Sequence, residues 1–125
     1  MESQIEDKLA YKIIDCALKV HNTIGNGLQE VIYQRCLAIE LGKNNIEFVR
    51  EQELPIFYEN IQVGTRRTHF IVVGEVMVEL KSILKLEEVH FAEALKDLTS
   101  YQIERGLLIN FGTTSLEVER LFRKN

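Results

Sequence analysis

The chain has 125 residues, 46% hydrophobic and 27% charged, values of a single globular domain large enough to bury a core. Fifteen Lys and Arg against 19 Asp and Glu leave a net charge of −4, so a nucleic-acid partner needs a local basic patch, because the overall field gives it no help. The opening MESQIEDKLA is acidic and polar, no apolar run approaches the ~20 residues of a membrane span, and two cysteines make no disulfide framework; the expectation is a cytoplasmic protein with reduced Cys16 and Cys36 and no membrane association.

Ser3-Gln-Ile-Glu6 has the form of a capping box, and Ile5, Leu9, Ile13, Ala17 and Val20 follow at helical spacing, which predicts a helix over about 4–22. Thr23 to Gly27 is a break whose two glycines and asparagine supply a turn. A second helix is expected over about 28–43, with Leu28, Ile32, Cys36 and Ile39 on one stripe and Gly42 near its end. Glu30 and Tyr33 lie three apart on its first turns, hence on one side, where the helix dipole favours a carboxylate. Spacing alone makes them a surface Glu and a partly buried Tyr.

From Glu47 to Tyr58 the chain alternates loosely around its only proline, Pro55, as an edge strand or bulge does. Glu59-Asn60 is a turn, and a strand beginning at Ile61 runs through Arg66 and Arg67 into RRTHFIVVGEVMVELKS, residues 66–82. There one parity, Phe70, Val72, Val76, Val78 and Leu80, is wholly apolar, and the other ends in His69, Glu79 and Lys81. A three-residue connection, Val73 to Glu75 with Gly74 in the left-handed position, pairs Val72 with Val76 and His69 with Glu79. It keeps one face apolar and gathers His69, Glu79 and Lys81 at the open end of the hairpin.

After Ser82 the period changes. Val89, Ala92, Leu95, Leu98 and Gln102 predict a helix over about 87–104, stopped by Gly106. Leu107 to Phe111 is apolar on both parities, as in a strand covered on both faces, and the tail SLEVERLFRK fits an edge strand or a short helix, the strand being preferred. The order helix, helix, three strands, helix, strand, tail implies an α/β fold with a mixed sheet and helices packed on it. Met77 belongs to the core, and His21 and His90 to capping or partly buried positions.

Glu79 and Lys81 place a carboxylate and an ammonium on one strand face. Hard divalent cations take few carboxylates and keep several waters, whose pKa they lower, and a neighbouring Lys can orient such a water and offset charge on a phosphate. Taken by itself the triplet is more often a solvated salt-bridging face.

Three segments together carry more. Gly27-Leu-Gln-Glu30-Val-Ile-Tyr33, VMVELKS at 76–82 and GLLINFG at 106–112 resemble, in order and spacing, the GxxExxY family of the PD-(D/E)XK nuclease-like superfamily. The resemblance runs from about His21 to Phe111. It implies a restriction-endonuclease-like core, a mixed central β-sheet flanked by helices. It also implies a divalent-metal phosphodiesterase acting on DNA or RNA with Mg²⁺ or Mn²⁺: Glu30 approaching from a helix, Glu79 as metal ligand, Lys81 positioning the attacking water.

Two departures bear on that expectation. The family's metal-binding Asp is His69 here, a ligand that brings no negative charge and suits softer ions. The helix that in the family offers a Gln followed by Asn-Tyr carries Glu93, Lys96 and Asp97. Glu93 is expected to restore the lost carboxylate, giving a metal set of Glu30, His69, Glu79 and Glu93; the alternative is a site that has lost catalysis while its fold serves nucleic-acid binding or assembly. Arg66, Arg67 and Lys85, extended by Arg50 and Lys43, are the expected phosphate contacts, and a homodimer through the Pro55 edge or the last strand is a third expectation.

Overall fold

The computed structural model of the chain describes residues 7–123. The capping box at Ser3–Glu6 lies outside the described residues; Asp7 caps the first helix instead, accepting a hydrogen bond from the Ala10 N–H at 3.0 Å. Helix α1 spans Lys8–Ile24 and α2 Glu30–Lys43. Strands β1 (Phe48–Arg50), β2 (Glu53–Tyr58), β3 (Ile61–Arg67), β4 (Phe70–Val72) and β5 (Val76–Lys81) follow, then α3 (Glu88–Tyr101), β6 (Arg105–Asn110) and β7 (Glu117–Phe122).

Five strands form the central sheet in the order β1-β4-β5-β6-β7. Only β5 and β6 are parallel, joined by the α3 crossover; the other pairs are antiparallel, so the sheet is mixed. The expected hairpin register holds: Val72 opposes Val76 and Phe70 opposes Val78, with Val73 and Gly74 both at positive φ in the turn.

The expected three strands between the helices are five. Glu51 at φ 52° kinks the first segment, and the second breaks at Thr68-His69, so β2 and β3 leave the sheet and form a separate two-stranded hairpin. The residues at these breaks include no Gly or Pro, the residues that ordinarily mark such a break.

Alternation sorts the sheet's two faces. Val76, Val78 and Leu80 of β5, with Leu107, Ile109 and the following Phe111, pack under α1 and α2 around Ile13, Ala17, Tyr33, Leu37 and Leu41. Met77 and Leu108 point the other way and meet Ala94 and Leu98 of α3. The predicted stripes of α2 and α3 need correction: Ile39 and Leu28 are exposed, as are Val89, Ala92 and Leu95, because both helices carry apolar residues around most of their circumference and the periodicity picks no single face. Gly106 permits the α3 contact, since a Cβ there would lie 3.0 Å from the Met77 carbonyl and 3.1 Å from Leu98 Cδ2.

Candidate functional site

The C-terminal ends of β5 and β6, the start of α2 and the Thr68-His69 break meet at one edge of the sheet. The loop before α2 is fastened there by polar contacts. Tyr33, fully buried, stacks on Phe111 with ring centroids 4.5 Å apart. Its hydroxyl donates to the Gly25 carbonyl at 2.6 Å and accepts from the Leu28 N–H at 3.2 Å. Ser82 donates to the Leu28 carbonyl at 2.5 Å, and the buried His21 reaches the Thr113 carbonyl through Nε2 at 2.9 Å. Glu30 is thereby held as the first residue of α2 beside the end of β5.

Asn110 does the same for the loop after Lys81. Its side chain, fully buried, accepts from the N–H groups of Ile83 and Gly112 and donates to the Ile83 carbonyl, each at 3.0 Å, and donates to Glu117 at 2.8 Å. Gly112 has no room for a side chain, since a Cβ would overlap the Ile83 backbone. The three sequence segments are therefore one contact set that holds Glu30 near Lys81 at the end of β5.

His69 joins the two sides. The Leu80 N–H donates to its Nδ1 at 2.8 Å, and its Nε2 lies 3.1 Å from Glu30 Oε2. An accepting Nδ1 assigns the proton to Nε2, which donates to the carboxylate. Gln34 also donates to Glu30 Oε2, at 3.2 Å. Burial opposes ionisation of Glu30, but the hydrogen bonds from His69 and Gln34 and the charge of Lys81 outweigh it and hold the carboxyl below its usual range.

Glu79 shares the parity of Met77 and so faces α3. Thr68 donates to it at 3.0 Å. The carboxylate that α3 brings to it is Asp97, within hydrogen-bonding reach, and Asp97 accepts from Arg66 at 2.7 Å. Burial first, then the charge and hydrogen bond of Asp97, push Glu79 up to about 7 against the weaker opposing effects of His69 and Thr68. Glu93 stands one turn before Asp97, exposed and with no hydrogen bond or ion pair among the described residues. Both acids stand in the helix segment that departs from the family pattern, and Asp97 is the one that lies beside Glu79 in the structure.

The expected metal set is corrected on this geometry. Both nitrogens of His69 are engaged, Nδ1 accepting from Leu80 with its lone pair and Nε2 donating to Glu30, and Glu93 makes no hydrogen bond or ion pair with the others. Among the described residues no group of three or more His, Cys, Asp or Glu is arranged to hold an ion. What does suit a hard cation is Glu79 with Asp97, two carboxylates close enough that Asp97 helps raise the Glu79 pKa; Mg²⁺ needs no more than one or two carboxylates. Arg67 is turned away to Glu53 (2.6 Å) and Glu51 (3.5 Å), whereas Arg66 reaches the site through Asp97 and Lys85 is exposed in the loop after Lys81.

The family model of the PD-(D/E)XK nuclease superfamily matches residues 7–121, and the chain belongs to that superfamily. No curated protein matches the chain significantly. A solved structure described as the crystal structure of SSO0001 is similar with a TM-score of 0.58 at 17% identity over 77% of this chain, a likeness of fold. The chain spans about half of that structure's length, 51%. Among the described residues no helix is long and apolar enough to cross a membrane.

Proposed function

We propose that the chain is a divalent-metal-dependent nuclease of the GxxExxY group that hydrolyses phosphodiester bonds of DNA or RNA. What supports this reading is His69 standing between two acidic positions at one edge of the sheet, Glu30 with Lys81 near it on one side and Glu79 with Asp97 on the other. Glu79 and Asp97 would hold the ion, Mg²⁺ or Mn²⁺; when bound, such an ion acidifies a coordinated water and polarises a phosphate oxygen.

This chain's own residues supply the rest. Lys81, close enough to lower the Glu30 pKa, offers an ammonium to orient water and offset charge developing on phosphate. Glu30, kept ionised by His69 and Gln34, is a proton acceptor at neutral pH. Arg66 can exchange Asp97 for a substrate phosphate, and Lys85 is exposed in the loop after Lys81.

Cleavage of plasmid and labelled oligonucleotides is expected with Mg²⁺ or Mn²⁺ and not with EDTA, and Glu79→Gln should lose roughly 10²–10³-fold in rate. Calorimetry of Mn²⁺ should show binding that Asp97→Asn weakens and Glu93→Gln leaves intact. Equal cutting by wild type and Glu79→Gln would remove the reading. A second reading, a nuclease fold kept for nucleic-acid binding or assembly, is favoured by His69 standing where the family has a metal-binding Asp; it expects no Mn²⁺ binding by wild type.

A further inference from the structure

The β2–β3 hairpin stands off the sheet. Residues opposed in an antiparallel pair share a face, so Leu54 with Arg66, Ile56 with Gly64 and Tyr58 with Ile61 make one side, and Glu53 with Arg67 and Pro55 with Thr65 the other. The first side is the inner one: Leu54, Ile56, Gly64 and Arg66 are half-buried against the body, whereas Glu53, Pro55, Thr65 and Arg67 are exposed. Toward the tip the inner face runs beyond the body, leaving Tyr58 66% and Ile61 67% exposed. Glu59 and Asn60, at φ 49° and 68°, close it with a two-residue turn of the kind that matches strand twist.

At its base the same face ends in the site. Arg66 bonds Asp97 beside Glu79, and the Tyr101 hydroxyl sits between the carbonyls of Gln52 (2.7 Å) and Arg66 (3.1 Å), fixing the base of the arm to α3. Tyr58 lies four residues along β2 from Leu54, the partner of Arg66, a distance of roughly 13 Å. Gly64, opposite Ile56, adds no side chain there, and a β-bulge shifts the register by one before the Phe57–Gln62 pair, which leaves the alternation along β2 unchanged. No carboxylate stands on this face; its one charge is the Arg66 cation.

Size and charge choose the occupant. One face of a ribbon this long covers roughly 200 Å², against about 800 Å² per partner in a stable protein interface. An exposed aromatic and aliphatic surface ending in a guanidinium matches instead the stacked bases and the phosphate of one nucleic-acid strand. We propose that the inner face of the β2–β3 hairpin is a stacking ledge for unpaired nucleobases, with Tyr58 and Ile61 as its platform, so that the substrate is single-stranded DNA or RNA. The placement of the strand's phosphate at Arg66 rests on the nuclease reading above.

Fluorescence anisotropy with labelled 12-nucleotide DNA and RNA oligomers, single-stranded and duplex, in EDTA so that nothing is cut, tests the ledge. Wild type should prefer single strands. Tyr58→Ala with Ile61→Ala should weaken them roughly tenfold, Tyr58→Phe should retain them, and Phe57→Ala on the other side should change nothing; all four proteins should melt alike. Equal single-strand binding by the double variant, or a preference for duplex, overturns the ledge. A dimer by light scattering that the double variant dissolves assigns the face to a second copy and overturns it too. Ledge-dependent binding without cleavage supports the ledge and ends only the nuclease reading, while cleavage indifferent to the double variant ends only the ledge.

Discussion

The α2 side and the α3 side of the site each present a glutamate, and the two are driven in opposite directions. Burial is the largest influence on both Glu30 and Glu79, and it pushes both carboxyls up. Around Glu30 stand only groups that favour the anion, His69, Lys81 and Gln34, and they win. Beside Glu79 stands Asp97, a second acid, and burial is reinforced until the carboxyl reaches about 7. Neighbours, then, and not depth decide which side of the site holds a proton at neutral pH, a division of the kind that separates acid from base in hydrolases.

The comparison breaks first, and hardest, at Tyr33. Tyr33→Ala removes a ring stacked on Phe111 and both hydroxyl contacts to the loop before α2, and should cost about 3–5 kcal/mol in urea denaturation. Tyr33→Phe keeps the stack and should cost about 1–2 kcal/mol. If the loop is what holds Glu30 against His69, the carboxyl of Glu30, followed by carbon-13 NMR, should move up toward its ordinary range in the Phe variant. An unmoved Glu30 would show that the loop fastening has nothing to do with its ionisation.

Glu79 gives the next effect, with a sign of its own. Its folded pKa lies above the unfolded value near 4.5, so between about pH 4.5 and 7 the native state holds a proton that the unfolded chain releases. Stability therefore falls as pH rises through that window, by an amount on the order of 3 kcal/mol. Glu79→Gln cannot ionise and should flatten the decline, making the variant more stable than wild type at pH 8 and little different at pH 4.5. Glu30 and Asp7, both held low, lose their contributions only as pH falls through their folded values, below this window. Parallel wild-type and variant curves would mean that Glu79 is not the group responsible.

The sequence could supply the sheet and the hairpin register because Phe70 to Leu80 alternates strictly and only one register keeps a face apolar. The motif segments could be placed together for a different reason, resemblance, and their contacts give the physical ground: Tyr33 on Phe111, Ser82 on Leu28, Asn110 on Ile83. What stayed hidden was set by three-dimensional neighbours with no local signal. The departure of β2 and β3 from the sheet turns on a kink at Glu51, a residue type that rarely takes positive φ. Asp97 rather than Glu93 faces Glu79 because the rotation of α3 is fixed by Ala94 and Leu98 beneath it, and an apolar count around that helix does not fix a rotation.

The smallest effect tests the residue that joins the two sides. His69 donates to Glu30 and accepts from Leu80, so His69→Asp trades a donor for an anion next to Glu30 and leaves its former partners unpaired. Without divalent ion the variant should lose about 2 kcal/mol in thermal or urea unfolding, the range for a hydrogen bond to a charged group. An added carboxylate joining Glu79 and Asp97 then strengthens the seat, and saturating Mg²⁺ at about 100 times Kd would restore about 2.7 kcal/mol. Wild type, with one carboxylate fewer and with Asp97 and Glu79 engaged by Arg66 and Thr68, should gain less from the same ion. Equal stabilisation of both proteins by Mg²⁺ would mean that the imidazole does not limit the ion, and that the two glutamates are already coupled through the metal rather than through His69.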